Sequence, residues 1–369
     1  MRIAVDVRSL MEGRHSGVQE YTIQIIRALV RVAPRHTYHL FYNSARQVTL
    51  PDFGPRAVVH KFRYPNKVFN AWQFAAARPR WDSLVAADCF FVPSVRLMPL
   101  SHLTPLVATA HDLSFERFPE LYSWQRRVWH RLVRARLLLQ NADHVVAVSE
   151  ATAADVRELY GVPQARVSVV YSGVSEMAPP TSQARAAAKA RYRLPERFVL
   201  YLGTLEPRKN VVSIIRAYDA IAGSVPHDLV IAGARGWLMG DFDKALVRAR
   251  HRSRMHVPGF IREEDKAALY AQADLFVYPS LYEGFGFPPL EALLAGAPVI
   301  TSFNSALPEV VGEWASLIDP YNVSELALVM KELLNDLPTV SEEDKKAIRY
   351  KYSWDEAARK TLAVMESVV

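Results

Sequence analysis

One cysteine among 369 residues, Cys89, leaves no internal disulfide to staple the fold. It lies in an apolar segment, ADCFFVPS, and reads as a buried structural thiol in a reducing cytoplasm. Long apolar runs are missing too: none approaches the roughly 18 residues that a membrane-spanning helix needs. The opening MRIAVDVRSL is interrupted by Arg2, Asp6 and Arg8, which suits a buried first strand better than a signal peptide. Internal repeats, zinc-ligand spacings and a P-loop are not found. GFGFPP starts like a dinucleotide fingerprint but lacks the third glycine, so NAD binding is discounted. Asp241 and Asp243 in GDFDKAL look like a metal-binding pair, yet they open a helix, where aspartate is favoured as a cap and in the first turn. No metal site and no nucleic-acid recognition motif is expected.

What is present is a chain long enough for two domains, half of it hydrophobic. The net charge of +7 is uneven: residues 1–175 hold 22 Lys and Arg against 13 Asp and Glu, and residues 176–369 hold 23 against 25. A basic first half calls for an anionic partner, whether nucleic acid, a lipid surface or a phosphorylated substrate. Short apolar runs alternate with amphipathic segments: IAVDV, EYTIQIIRALVRVA and TYHLFYN read as strand, helix, strand, and LVATAHD, HVVAVS and VSVVYSG continue the series. At residues 176–190, EMAPPTSQARAAAKA reads as a linker. The rhythm restarts with FVLYLG, NVVSIIRAYDAIAG, DLVIAG, MHVPG, DLFVYPS and PVITS. Two doubly wound α/β domains follow, facing across a cleft, with ligands expected just beyond the carboxyl ends of the strands.

Three strand-end segments carry candidate chemistry. In EGFGFPPLEALLAGAPVITS, Pro288 and Pro289 suit a first helical turn, and Gly284 and Gly286 let a ligand approach the helix N-terminus, where anions are favoured. Glu283 would precede that helix and Glu291 would fall in its first turn, to bind sugar hydroxyls or merely to cap a turn and complement the dipole. In YLGTLEPRKN, Arg208 and Lys209 could stabilise a diphosphate leaving group or form a solvated surface pair. In HSGVQEY and TAHDLSF, Gly17 and His111 sit at strand ends of the first domain, His111 as either a site residue or a structural one.

Taken together, these segments resemble the retaining glycosyltransferases of family four, which have the GT-B fold. The likeness runs from SGVQEYTIQIIRAL through AHDLSF, NADHVVAVSEATAADV and LGTLEPRKN to HVPGFIREEDKAALYAQADLFVYPSLYEGFGFPPLEALLAGAPVITS. It implies that Glu283 holds the donor sugar and Glu291 the ribose. Amides around Gly286, Phe287 and Leu290 would meet sugar and diphosphate. Lys209 and Arg208 would neutralise the diphosphate, Phe260 and Ile261 would contact the base, Gly17 the donor phosphate, and His111 would lie near the transferred sugar. Where many members carry an arginine after the glycine, this chain has Thr204, and Arg208 would take over its role from a different place in the loop. The domains implied are 1–176, joined by a returning C-terminal helix at about 353–369, and 190–352. The chemistry implied is metal-independent transfer of a hexosyl unit with retention and no cofactor. The first donor is GDP-mannose and the second UDP-glucose. The acceptor is a glycan or lipid-linked saccharide of bacterial polysaccharide or O-antigen assembly. The setting is the cytoplasm, with peripheral contact to an anionic inner-membrane face as one reading of the basic domain. A noncatalytic sugar-binding subunit of the same fold is the alternative.

Residues 117–140, RFPELYSWQRRVWHRLVRARLLLQ, read as one long helix with Trp124, Val128, Leu132, Ala135 and Leu139 along one side. That stripe is expected to pack on its own sheet, with anionic lipid or an acceptor pyrophosphate as the other reading of its arginines. Tyr64, Phe69, Trp72, Phe74 and Trp81 are either core or the wall of a sugar-stacking groove.

Overall fold

Strands buried on both faces must be largely apolar, and the inner runs CFFV, LVATA, FVLYL, LFVY and VITS are buried end to end in the computed structural model, which describes residues 1–11, 17–45, 48–101, 103–175 and 177–369. The chain divides into two units. The first comprises Met1–Glu116, Trp124–Ser175 and Tyr352–Val369; the second comprises Arg117–Ser123 and Glu176–Lys351.

In the first unit, β1 (Arg2–Asp6), β2 (Thr37–Asn43), β3 (Ala57–Phe62), β4 (Cys89–Val92), β5 (Leu106–Ala110), β6 (His144–Ala147) and β7 (Val167–Val169) form one sheet in the order β3-β2-β1-β4-β5-β6-β7. Every pairing among the described residues is parallel. Cys89 lies buried on β4, where burial pushes its thiol up to about 12 and leaves it inert. Phe69 and Trp81 are core, whereas Tyr64, Trp72 and Phe74 are exposed. The helix Trp354–Ser367, capped by the Ser353 hydroxyl, lies along the helix Gly17–Val32, with Arg35 paired to Glu366 at 2.9 Å. Its entry is tight: a Cβ on Gly173 would stand 2.4 Å from Trp354.

Two readings of the sequence are corrected. The stretch 117–140 is not one helix: Trp124–Val133 and Ala135–Asn141 are separate, broken where Arg134 adopts a φ of +54°. Of the expected apolar stripe only Ala135 and Leu139 are buried, while Trp124, Val128 and Leu132 face solvent. The stretch 176–190 is not simply a linker. From Ser182 to Tyr192 it is a helix, capped by the Thr181 side chain and rich in alanine; Glu176 lies outside the described residues.

In the second unit, β8 (Phe198–Leu202), β9 (Asp228–Ala232), β10 (Met255–Gly259), β11 (Leu275–Tyr278), β12 (Val299–Ser302) and β13 (Ser316–Ile318) run parallel in the order β10-β9-β8-β11-β12-β13. Backbone bonds continue past the strand ends: Gly203 N donates to Ala232 O at 3.1 Å and Gly233 N to Gly259 O at 2.7 Å. Side chains would block this approach. A Cβ on Gly233, whose φ is +138°, would lie 1.8 Å from the Gly203 carbonyl oxygen.

Gly233→Ala should therefore lower the unfolding free energy by about 3 kcal/mol or more, a backbone clash added to strain. Gly259→Ala, at φ +80° with no atom within 4 Å of its Cβ, should cost only about 1–2 kcal/mol. Urea denaturation of the two variants checks the difference, and equal losses would contradict the glycine contact.

Candidate active site

In an open parallel sheet a crevice forms where neighbouring strands send their connections to opposite sides. In the second unit that point lies between β8, which leads to β9, and β11, which leads to β12. The two loops that leave it are the motifs singled out above. After β8 the chain turns through a 3-10 segment, Pro207–Lys209, and closes at Asn210, which adopts a φ of +55°. Asn210 Nδ2 donates to Pro320 O at 2.7 Å, and Leu281 N donates to Arg208 O at 2.8 Å, so the β8 loop is tied to its surroundings by one side-chain bond and one backbone bond.

This geometry buries Arg208 and Lys209 against Glu283. Lys209 Nζ donates to Glu283 Oε1 at 2.5 Å and to the Tyr278 hydroxyl at 2.6 Å. Arg208 Nη1 donates to Glu283 Oε2 at 3.0 Å and to Tyr282 O at 2.6 Å, while its Nη2 pairs with Glu206 Oε1 at 2.8 Å. Ser280 Oγ donates to Glu283 Oε1 at 2.6 Å, and the Glu283 amide donates to Ser305 Oγ at 2.9 Å. Lys209 is 8% exposed and Glu283 7%. The basic pair is thus no solvated surface pair.

Burial alone would raise the Glu283 carboxyl. The charges of Arg208 and Lys209, with hydrogen bonds from Lys209 and Ser280, overcome it and pull the carboxyl down to about 2. Lys209 is drawn below its usual value by burial and by Arg208, with Glu283 opposing. Tyr278 is pushed well above its usual range, chiefly by burial, so its hydroxyl stays protonated beside the lysine. Two carboxylates face two cations, and the cluster is charge-balanced before any ligand arrives.

The remaining donor-side candidates spread around this centre. Gly286, at φ +106°, precedes the helix Phe287–Ala295, which carries both prolines at its start; a Cβ on Gly286 would come within 2.8 Å of Leu307. Leu290 is buried in that helix and Phe287 half-buried at its first position. Glu291 falls beyond the first turn, contrary to expectation, so the helix-dipole account of it fails; its Oε2 instead accepts from the Tyr270 hydroxyl at 2.9 Å. Thr204 is exposed, and its carbonyl accepts from the Tyr201 hydroxyl at 3.0 Å. After β10, Phe260 is 62% exposed and Ile261 is buried. The Asp-x-Asp pair is tied up locally, Asp243 by Arg235 at 2.7 Å and Asp241 by Lys244 at 3.4 Å.

Gly17 and His111 belong to the first unit. Gly17 opens the helix Gly17–Val32 and is exposed; His15 and Ser16 of the same motif lie outside the described residues. His111 follows β5, and its Nε2 sits 2.7 Å from the Pro93 carbonyl, which can only accept, so Nε2 carries the proton. The ring meets Tyr21 edge-on at 4.7 Å, and burial holds the imidazole below its usual value, neutral at pH 7.

Two family models match the two halves of the chain: "Glycosyltransferase Family 4" over residues 15–176 and "Glycosyl transferases group 1" over residues 183–354. The chain belongs to glycosyltransferase family four. O-antigen chain mannosyltransferase B of Escherichia coli is 29% identical over 87% of each chain. The serotype-specific mannosyltransferase WbdA of the same species is 33% identical over 59% of this chain, and the match spans 28% of that longer protein. Among solved structures, sucrose-phosphate synthase of Thermosynechococcus elongatus superposes with a TM-score of 0.76 at 20% identity, over 99% of this chain and 98% of that one. That likeness shows the GT-B fold.

Sequence reasoning brought Arg208, Lys209 and Glu283 to one place but missed the residues that hold them. Glu206, Tyr278, Ser280 and Ser305 surround the cluster. Tyr278 was hidden at the end of the apolar run LFVY, although a tyrosine that closes a buried strand must find a partner for its hydroxyl.

Because the folded Glu283 carboxyl lies near 2 and its ordinary value is 4.5, its stabilisation is full above about pH 4.5 and is lost as pH falls toward 2. The stability advantage of this glycosyltransferase over its Glu283→Gln variant should shrink by about 3 kcal/mol across that window. Denaturant unfolding at stepped pH checks this; an advantage independent of pH would show that Glu283 is not ionised through the buried pair.

Proposed function

We propose that the protein transfers a mannosyl unit from GDP-mannose to a glycan or lipid-linked saccharide, with retention of anomeric configuration, in the assembly of a bacterial polysaccharide of the O-antigen kind. In this reading residues 190–352 hold the nucleotide sugar, and residues 1–176 with the returning helix 353–369 hold the acceptor side, in the cytoplasm and against the inner membrane. The observation that carries this reading is the buried Lys209–Glu283–Arg208 cluster at the switch point of the second sheet, supported by two relatives that bear mannosyltransferase names.

The roles follow from the geometry. An ammonium has three donors, and Lys209 spends two of them on Tyr278 and Glu283. The third can meet a phosphate oxygen without releasing either partner. Arg208 supplies the second cation from within the loop, in place of an arginine at position 204. The N-terminal end of Phe287–Ala295, reached past Gly286, adds positive potential for the diphosphate. Glu283, kept ionised, accepts hydrogen bonds from sugar hydroxyls, and Glu291, steadied by Tyr270, accepts from the ribose. Phe260 and Ile261 border the base. As the bond between the anomeric carbon and the diphosphate oxygen breaks, the acceptor oxygen bonds to that carbon on the same face of the sugar and gives its proton to the leaving phosphate. Such a step needs positioned charge more than a side-chain base. The family resemblance assigns Gly17 to the donor phosphate and the neutral His111 to the transferred sugar.

Titration calorimetry with GDP, UDP, ADP and their sugars tests this reading. GDP and GDP-mannose should bind, and Glu291→Ala should weaken both by about tenfold, the loss of one hydrogen-bonding carboxylate. Preference for UDP with UDP-glucose would make the protein a glucosyltransferase. Sugar binding without nucleotide binding would mark a noncatalytic subunit.

A further inference from the structure

The helix Trp124–Val133 inverts the usual arrangement of a surface helix. All ten residues are described and none is buried. It is held to its unit on one side, where His130 stacks on Phe115 at 4.1 Å with the rings 8° from parallel. At about 100° per residue, Trp124, Val128 and Leu132 fall roughly opposite His130 and within about 80° of one another. The outward centre of the helix is therefore apolar. Trp124 is 65% exposed, Val128 43% and Leu132 48%.

Arg127 and Arg131 flank that stripe within about the next 60°, and neither forms an ion pair among the described residues. On the other flank stands Trp129, 48% exposed. From Trp124 to Asn141 the chain holds five arginines and no acidic residue. Beyond the break, Arg134 lies 4.1 Å over the ring of exposed Phe74 and extends the patch with a further cation and ring. This face presents two indoles beside an aliphatic stripe, with cations to one side and no acidic residue among them. It matches the boundary of an anionic bilayer, where indoles and aliphatic chains enter the headgroup region and arginines reach phosphates.

We propose that the Trp124–Val133 helix docks the protein on an anionic lipid surface, with Trp124, Val128 and Leu132 entering the interface and Arg127 and Arg131 meeting lipid phosphates. This deepens the reading above, in which the enzyme works against a membrane, and rests on it for location alone. No helix among the described residues is long and apolar enough to cross a membrane, so attachment through this face is peripheral and reversible.

Co-sedimentation of the full chain with phosphatidylglycerol-rich vesicles, against phosphatidylcholine vesicles, tests it. The protein should bind the anionic vesicles, leave them as salt rises, and ignore the neutral ones. Trp124→Ser with Leu132→Ser, and separately Arg127→Gln with Arg131→Gln, should each lower the partition coefficient by roughly tenfold or more. Melting temperature and nucleotide binding should stay unchanged, because the substituted side chains are exposed and lie outside the donor unit. Absence of vesicle binding, or binding untouched by both double variants, would overturn the proposal. So would a lipid-free dimer that the Trp124→Ser, Leu132→Ser variant converts to monomer, since a second copy would then own the face. Loss of nucleotide binding alone would count against the enzymatic reading and leave this one standing.

Discussion

The ion pair between Lys209 and Glu283 is the contact on which the second unit's site depends. Removing two charges from water is expensive, and the expense is met only when each finds further hydrogen bonds. Here Tyr278 serves the lysine, while Ser280 and Arg208 serve the carboxylate. One interaction therefore pins the loop after β8 to the loop after β11, and it does so at the crevice where the sheet topology leaves room for a ligand. Stability and function make the same demand on these residues: the polar groups that would bind a donor are oriented before it arrives, so little reorganisation remains to be done on binding.

Glycines make this arrangement possible from below. Gly233 lets the ends of β8 and β9 continue to hydrogen-bond as bare backbone, which brings the β8 loop and the β9 loop into contact without intervening side chains, while Gly259 supplies a turn at φ +80°. The first unit shows a different economy. Its strand-end histidine, His111, is fixed by a carbonyl and an aromatic edge, and its most amphipathic exposed helix turns its apolar stripe outward. One unit is built to hold charge in a buried place and the other presents charge at its surface, in keeping with the basic excess of residues 1–175.

Much of this was legible in the sequence. Apolar runs such as TYHLFYN and MHVPG became strands over those same residues, since period and composition agree there. The strand-end rule located Arg208, Lys209 and Glu283. What escaped had physical causes. A non-glycine residue in the left-handed region carries no sequence signal, so the break at Arg134 was invisible and the stretch was read as one buried stripe. The prolines of APPTS drew attention from the alanine-rich segment behind them, which helix propensity alone would have found. Glu291 was placed in the same first turn as the prolines; the helix starts at Phe287, just before them, which leaves Glu291 beyond that turn and beside Tyr270. Glu206 and Ser305 are ordinary loop residues until folding brings them to Arg208 and to the Glu283 amide.

The central claim is that a lysine already committed to a buried carboxylate also meets the donor's diphosphate. Transfer from the proposed donor, GDP-mannose, by Lys209→Met, which keeps the aliphatic stem and leaves Arg208 bonded to Glu283, tests it most directly. The account predicts a folded variant whose kcat/KM falls by about a hundredfold or more, the scale of losing one preorganised charge at a leaving group. A folded Lys209→Met protein that turns over donor at the wild-type rate would contradict it.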